Sequence, residues 1–325
     1  MFTRRNFLQT TALGAATLGA RAQGAAAAAR RVSFALFDSH AHLISTDLAR
    51  YPRVADAAGR PAQPAADVQV PEAEKLLAWM DENNVGSAAV AQLGGLYGVN
   101  NYYVLDSAER FRSRLLPVVG LDAADEATPD LLRQYARERG LAALRITGGP
   151  QADGSLPWLD SPAAQRSWAV ANELSLAVVV MNTPPGRLPA VVNACARLAA
   201  EHPAVRLVLD QLGWPDVAGG PEYGIDALHR SLQPTQNVYF KFSSINLQQL
   251  AKANVAAPAL LRHVVDVYGA DRVMWGSDIG HSTGTYASQV GAGIDAVAQL
   301  SADEQRKVLR ESGMRVFVRG GARRG

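Results

Sequence analysis

The sequence predicts a single (β/α)8 barrel, and three observations carry the prediction. Eight short Val-, Leu- and Ala-rich runs alternate with stretches whose apolar residues recur every three or four positions, the pattern of parallel strands joined by crossover helices. Eight is the number at which such a sheet closes around a side-chain-filled interior. No Gly-rich phosphate turn follows the first run, so the alternative, an open doubly wound sheet, lacks its usual mark. At 325 residues, 48% hydrophobic and 19% charged, with 28 Gly and 17 Pro, the chain is neither collagen-like, coiled-coil nor low-complexity.

The strand candidates occupy residues 32–43, 86–93, 116–122, 141–148, 176–182, 205–212, 238–246 and 272–279, each an apolar run that finishes in polar residues. Between them, residues 71–84, 128–140, 161–175, 187–203 and 258–269 carry helical periodicity, several with Pro near the start, where a missing N–H costs nothing. Cys195 sits on the apolar stripe of the fourth of these helices and reads as a packed thiol. Residues 44–70 are Pro-rich and carry no motif. Together these elements assign residues 32–325 to the barrel.

The first 31 residues stand apart. Arg4-Arg5, an apolar stretch over residues 10–20 and the small-x-small sequence Ala20-Arg21-Ala22 match a twin-arginine export leader, with the Ala-rich residues 23–31 as a flexible lead-in. Cleavage after Ala22 would remove three arginines and no acid, taking the formal charge from +2 to −1. The expected home is therefore the periplasm, reached through the twin-arginine machinery. Nothing in the remaining chain points to nucleic acid, and no membrane insertion is expected once the leader is gone.

Barrels of this kind place chemistry at the C-terminal ends of their strands. Those ends here read Asp38-Ser39-His40-Ala41-His42 on the first, Arg145 on the fourth, Asn182 on the fifth, Asp210-Gln211 on the sixth, Lys241 on the seventh, and Gly276-Ser277-Asp278 with His281 on the eighth. Alternation along an extended strand sends His40 and His42 to the same side. Two imidazoles on one face, joined by Asp278 from the strand that closes beside the first, form a three-ligand set for one divalent cation with a position left for water. His202, His229 and His263 fall on outer helices or their ends and are assigned no chemistry.

Residues 37–42 (FDSHAH) together with residues 276–281 (GSDIGH) resemble the amidohydrolase superfamily, in the amidohydrolase-related branch that includes 2-pyrone-4,6-dicarboxylate lactonase and sulfomuconolactone hydrolase. Supporting similarity lies in residues 92–102, Leu144-Arg145-Ile146, residues 209–213 and residues 239–243. The resemblance implies a hydrolase of a small anionic lactone, with Asp278 as base for water and His40 and His42 polarising the carbonyl. Many members add metal-binding histidines on strands five and six; here Asn182 and Gln211 stand there, so a binuclear centre is not expected. The cofactor expectation is one divalent metal (Zn or Mn) on His40, His42 and Asp278, or none, since the lactonase branch is understood to work without one.

Arg145 and Lys241 are expected to hold the anionic groups of the substrate and make the site net cationic. Tyr97, Asn182, Gln211 and His281 complete the expected substrate-binding set. Two other functions share the apparatus: a metal-dependent decarboxylase of the same superfamily, and a non-catalytic binding relative.

Overall fold

The computed structural model describes residues 32–55, 59–183, 185–218, 220 and 222–318. The leader and lead-in inferred from residues 1–31 lie outside the described residues. Eight strands, β1 (Leu36–His42), β2 (Val85–Ala91), β3 (Leu115–Gly120), β4 (Ala143–Gly148), β5 (Ala177–Asn182), β6 (Arg206–Leu209), β7 (Val238–Ser243) and β8 (Val273–Gly276), follow chain order in one sheet. Every consecutive pair is parallel. The ring closes just beyond β8, where the Asp278 N–H donates to the His40 carbonyl at 2.7 Å and the His42 N–H donates to Ile279 at 3.0 Å. Closure thus delivers Asp278 to the end of β1.

The expected helices form at Ala73–Glu82, Thr128–Glu138, Pro162–Glu173, Pro189–Glu201 and Ala257–Tyr268, four of them with Pro in the first turn. Further helices at Tyr102–Arg110 and Tyr286–Ala296 join the outer ring, and the helix Ser312–Phe317 closes the N-terminal end of the barrel. Leu76, Trp168, Leu198 and Val264 on these helices bury against the outer face of the sheet. No helix among the described residues is long and apolar enough to cross a membrane. Cys195 is fully buried, and burial pushes its thiol up to about 12, in keeping with packing rather than reactivity.

Inside the barrel the two ends differ in kind. The N-terminal end is filled by Ala89, Ala143, Val179, Val208 and Met274, and is plugged by Phe317 from the C-terminal helix, stacked on Phe37 at 6.2 Å between ring centroids. The polar residues gather at the other end. Six strand ends there stop short of the sequence reading: β1, β2, β3 and β8 end at residues 42, 91, 120 and 276 rather than 43, 93, 122 and 279, and β6 and β7 end early as follows. The run expected to continue to residue 212 stops at Leu209, and residues Asp210–Gly213 form a tight turn with Gln211, Leu212 and Trp214 all at positive φ, between 54° and 58°. Residues 244–246, expected on strand seven, instead open the helix Ser244–Lys252, because Ser243 and Asn246 cap it reciprocally.

Candidate active site

His40 and His42 both turn into the C-terminal end of the barrel, as alternation along β1 requires. Their Nε2 atoms lie 3.2 Å apart, and each is equally near Asp278 Oδ1, at 3.3 Å from His40 and 3.2 Å from His42. All three residues are buried. Asp278 reaches this point because its backbone takes a left-handed conformation, φ 60°, which Asp tolerates better than most residues. Gly276, two residues earlier, permits the close approach: a Cβ there would sit 2.4 Å from the His40 Cβ.

Behind these atoms lies a supporting set of contacts. His42 Nδ1 is 2.9 Å from the Ala91 carbonyl, which can only accept, so Nδ1 carries the proton and Nε2 presents a lone pair. Burial pushes His42 down to about 4, so the ring stays neutral at neutral pH. His40 Nδ1 meets the Lys241 ammonium at 2.8 Å, and Lys241 is itself paired with Asp210 at 2.7 Å. Burial would raise the Asp210 carboxyl, but Lys241, His40 and Arg145 outweigh it and hold Asp210 well below the usual carboxylate range. Burial likewise opposes Asp278, and hydrogen bonds and charge from His40 and His42 overcome it, leaving that carboxyl low as well. Asp278 Oδ2 accepts from Ser282 Oγ at 2.6 Å.

Asp38 fastens the closure from below. Its Oδ1 accepts from the backbone N–H groups of His40 and Ser277, and its Oδ2 accepts from the Tyr286 hydroxyl. Burial raises the Asp38 carboxyl in spite of these bonds.

The convergence of His40 Nε2, His42 Nε2 and Asp278 Oδ1 tests whether a cation fits. The Lys241 ammonium can only donate to His40 Nδ1, so a neutral His40 carries its proton on Nε2, facing Asp278 Oδ1, and a metal ion bound among the three atoms would take the place of that proton. Tetrahedral zinc, with bonds of about 2.0–2.1 Å, sets its ligand atoms about 3.3 Å apart, the spacing found here. These three residues are the one such cluster of His, Cys, Asp and Glu among the described residues. The donor set therefore fits a single divalent ion.

A cavity of about 500 Å3 opens above this cluster, lined by His42, Asp278, Arg145, Gln211 and His281 together with several apolar side chains. Arg145 Nε donates to Asp210 Oδ2 at 2.9 Å, which turns one edge of the guanidinium inward and leaves the rest on the cavity wall. His281 is exposed at the mouth, its ring 6.1 Å from that of His42.

Three of the residues expected to contact substrate sit off the cavity lining. Lys241 is buried behind His40 with its ammonium on Asp210, and does not reach the cavity wall. The Tyr97 hydroxyl accepts from the Ser45 N–H at 2.8 Å and anchors the segment after β1. The Asn182 amide donates to the Gly186 carbonyl, and neither Tyr97 nor Asn182 lines the cavity. Nor is the site net cationic: Arg145 and Lys241 are balanced by Asp210 and Asp278, and Asp122 adds a carboxylate at the mouth.

Residues that sequence reasoning missed include Ser282, Asp122 and Trp158. Trp158 had a signal, an isolated Trp just after a Pro beyond the fourth strand. Asp122 stood at the end of the third apolar run, among the very positions the barrel reading makes informative. His202, His229 and His263, set aside from the sequence, lie on the outer ring, where His202 stacks on Trp168 and His263 faces Tyr223.

An amidohydrolase family model matches residues 5–318. An L-fucono-1,5-lactonase from Burkholderia ambifaria is 27% identical over 180 residues, so the chain spans about 59% of the length of that curated relative and 54% of its own. A Pseudomonas putida structure described as a putative 2-pyrone-4,6-dicarboxylic acid hydrolase superposes with a TM-score of 0.66 at 22% identity, covering 88% of this chain and 98% of the other. A 5-carboxyvanillate decarboxylase from Sphingomonas paucimobilis superposes with a TM-score of 0.62 at 16% identity, covering 88% and 99%. At these identities the two structures speak to the fold alone.

Proposed function

Because the chain belongs to the amidohydrolase family, we propose that it hydrolyses a small cyclic ester, with Asp278 as the group that takes the proton from water. The observation that carries this reading is the convergence of His40, His42 and Asp278 at the base of an open cavity whose lining includes His42, Asp278 and Arg145. The similarity to a fuconolactonase supports the choice of a lactone.

A divalent ion held by His40, His42 and Asp278 would supply Lewis acidity, polarising the ester carbonyl and easing ionisation of a water. The residues themselves do the rest. Asp278, kept ionised across the neutral range, accepts a proton as the water oxygen bonds to the acyl carbon. The ring C–O bond then breaks, and the proton passes to the departing ring oxygen, so that water and lactone give one hydroxy acid. Ser282 fixes the Asp278 carboxylate through Oδ2, and the Ala91 carbonyl fixes the tautomer of His42. Lys241 and Asp210 hold His40 from behind. Arg145 offers its free guanidinium edge to a carbonyl or carboxylate oxygen of the substrate.

We also propose that residues 1–22 act as a twin-arginine leader and carry this activity outside the cytoplasm. The function is tested by metal content and acid release from a panel of 1,4- and 1,5-lactones, before and after chelation and metal return. Hydrolysis that needs one bound ion per chain is the expected result. Release of CO2 from hydroxybenzoates without lactone hydrolysis would replace the reading with decarboxylation, and binding without any turnover would replace it with a ligand-binding role.

A further inference from the structure

The walls of the cavity say more about its ligand than the floor does. On the floor, two cations, Arg145 and Lys241, face two carboxylates, Asp210 and Asp278, and a divalent ion held by His40, His42 and Asp278 would serve the ester carbonyl and the water rather than a second anionic group. Arg145 is the one Arg or Lys side chain on the lining, and Asp122 sits exposed at the mouth. A ligand with two carboxylates would place at least one of them without a cation, close to existing negative charge, and desolvated charge without a partner is costly.

Each side-chain amide of the wall has one of its two ends committed elsewhere. Gln92 donates to the Gly98 and Asn100 carbonyls, and Gln211 accepts from Ser243 Oγ while its backbone carbonyl accepts from Asn246. Much of the remaining surface is apolar: Leu93, Leu121, Trp158, Met181 and Ile245 line it, and Val99, two-thirds exposed, stands at the rim. Trp158 is seated deliberately. Any Cβ at residue 148 would lie 2.3 Å from its indole, so Gly148 at the end of β4 lets the ring lie against the backbone there. The Trp158 indole N–H is buried and has no hydrogen-bond partner. An apolar wall with an aromatic ring set on a glycine, facing a single guanidinium, suits a flat apolar body carrying one polar end.

We propose that the ligand of this cavity is a lactone with an apolar ring or side chain and no more than one negative charge, rather than a polycarboxylate or a polyhydroxylated sugar acid. The lactone part rests on the function proposed above; the apolar, singly charged part rests on the wall. Two readouts keep these separable. Binding of non-hydrolysable six-membered lactams by calorimetry reads the wall, and turnover of the matching lactones by the same preparation reads the chemistry.

Four lactams suffice: one with a phenyl group, one with a carboxyphenyl group, one with two carboxylates and one with three hydroxyls. The expected order has the first two binding at least about tenfold tighter than the last two. Trp158→Ala should weaken the phenyl-bearing pair by about tenfold and the others little, while Trp158→Phe keeps most of the affinity. Asp122→Asn, a change at an exposed residue, should strengthen the dicarboxylate by about threefold and leave the neutral phenyl lactam unmoved. Equal or tighter binding of the dicarboxylate or the polyol overturns the proposal, as does failure of all four to bind at millimolar concentration. Correct binding order with no lactone turnover leaves the proposal standing and removes the hydrolase reading instead.

Discussion

The two ends of the barrel interior are built from the same eight strands and do opposite things. β1 shows the contrast within a single element, running from Phe37, stacked on Phe317 in a dry plug, to His40 and His42, which share a carboxylate with Asp278. At the plug the side chains pack on apolar neighbours, and the network above touches it through the Lys241 ammonium, 5.7 Å from the centre of the Phe317 ring. At the open end buried polar groups are held by one another: Lys241 by Asp210, Arg145 by Asp210, His42 by Ala91 and Asp278 by Ser282. Stability and chemistry are therefore separated along the barrel axis, as parallel barrels of this kind generally arrange.

The sharpest way to break that separation is to strike each end alone. Asp278→Asn keeps the size and most contacts of the side chain but removes its charge and its basicity. Turnover should fall by roughly a thousandfold or more while the unfolding midpoint moves little. A variant with nearly full activity would take Asp278 out of the chemistry. At the other end, Phe317→Ala should cost about 3–5 kcal/mol of stability and leave kcat per folded molecule unchanged when measured well below the unfolding midpoint. A large kcat defect with intact stability would mean that the plug sets the geometry of the site.

A pH experiment probes the open end without a mutation. Buried His42 has its affinity for protons pushed down to about 4, against an ordinary value of about 6.5 in the unfolded chain. Between those values the unfolded state binds more protons than the folded one, so stability is fully present above about pH 6.5 and is lost as pH falls towards 4. For metal-free protein the loss should approach about 3 kcal/mol. Unfolding curves at pH 7 and pH 4.5 measure it, and His42→Gln should flatten the difference. An unchanged slope in that variant would assign the pH dependence to other groups.

The same contrast decides what could be read from the sequence. Strands and outer helices were legible because each is a run of apolar residues at a fixed period, a local property. His40, His42 and Asp278 were legible too, since alternation and ring closure bring them together whatever the details. What the sequence left open was the direction of individual side chains. Lys241 was placed on the right strand and at the right end, yet it turns behind His40, because Asp210 lies there and not in the cavity. Tyr97 and Asn182 were likewise correctly placed near the mouth, but their polar atoms meet backbone groups of Ser45 and Gly186. The turn over residues 210–214 puts non-Gly residues at positive φ, which no local preference announces; it arises from tertiary contacts such as Asn246 to the Gln211 carbonyl.

Arg145 is the residue on which the two descriptions still meet, since it belongs both to the buried ion network and to the cavity wall. Arg145→Lys separates these roles. A lysine keeps the positive charge near Asp210 but loses the planar fork, one edge of which pairs with the carboxylate while the other faces the ligand. A network role alone predicts a modest drop in stability and the same fractional change in kcat/KM for every substrate. A ligand-holding role predicts about a tenfold loss of kcat/KM for a singly carboxylated lactone, carried mainly in KM, with a neutral lactone of the same ring almost unaffected. Measured side by side on those two substrates, the ratio of the losses is the deciding quantity. A ratio near ten assigns the free edge of Arg145 to the ligand, and a ratio near one returns the whole guanidinium to the network beneath the site.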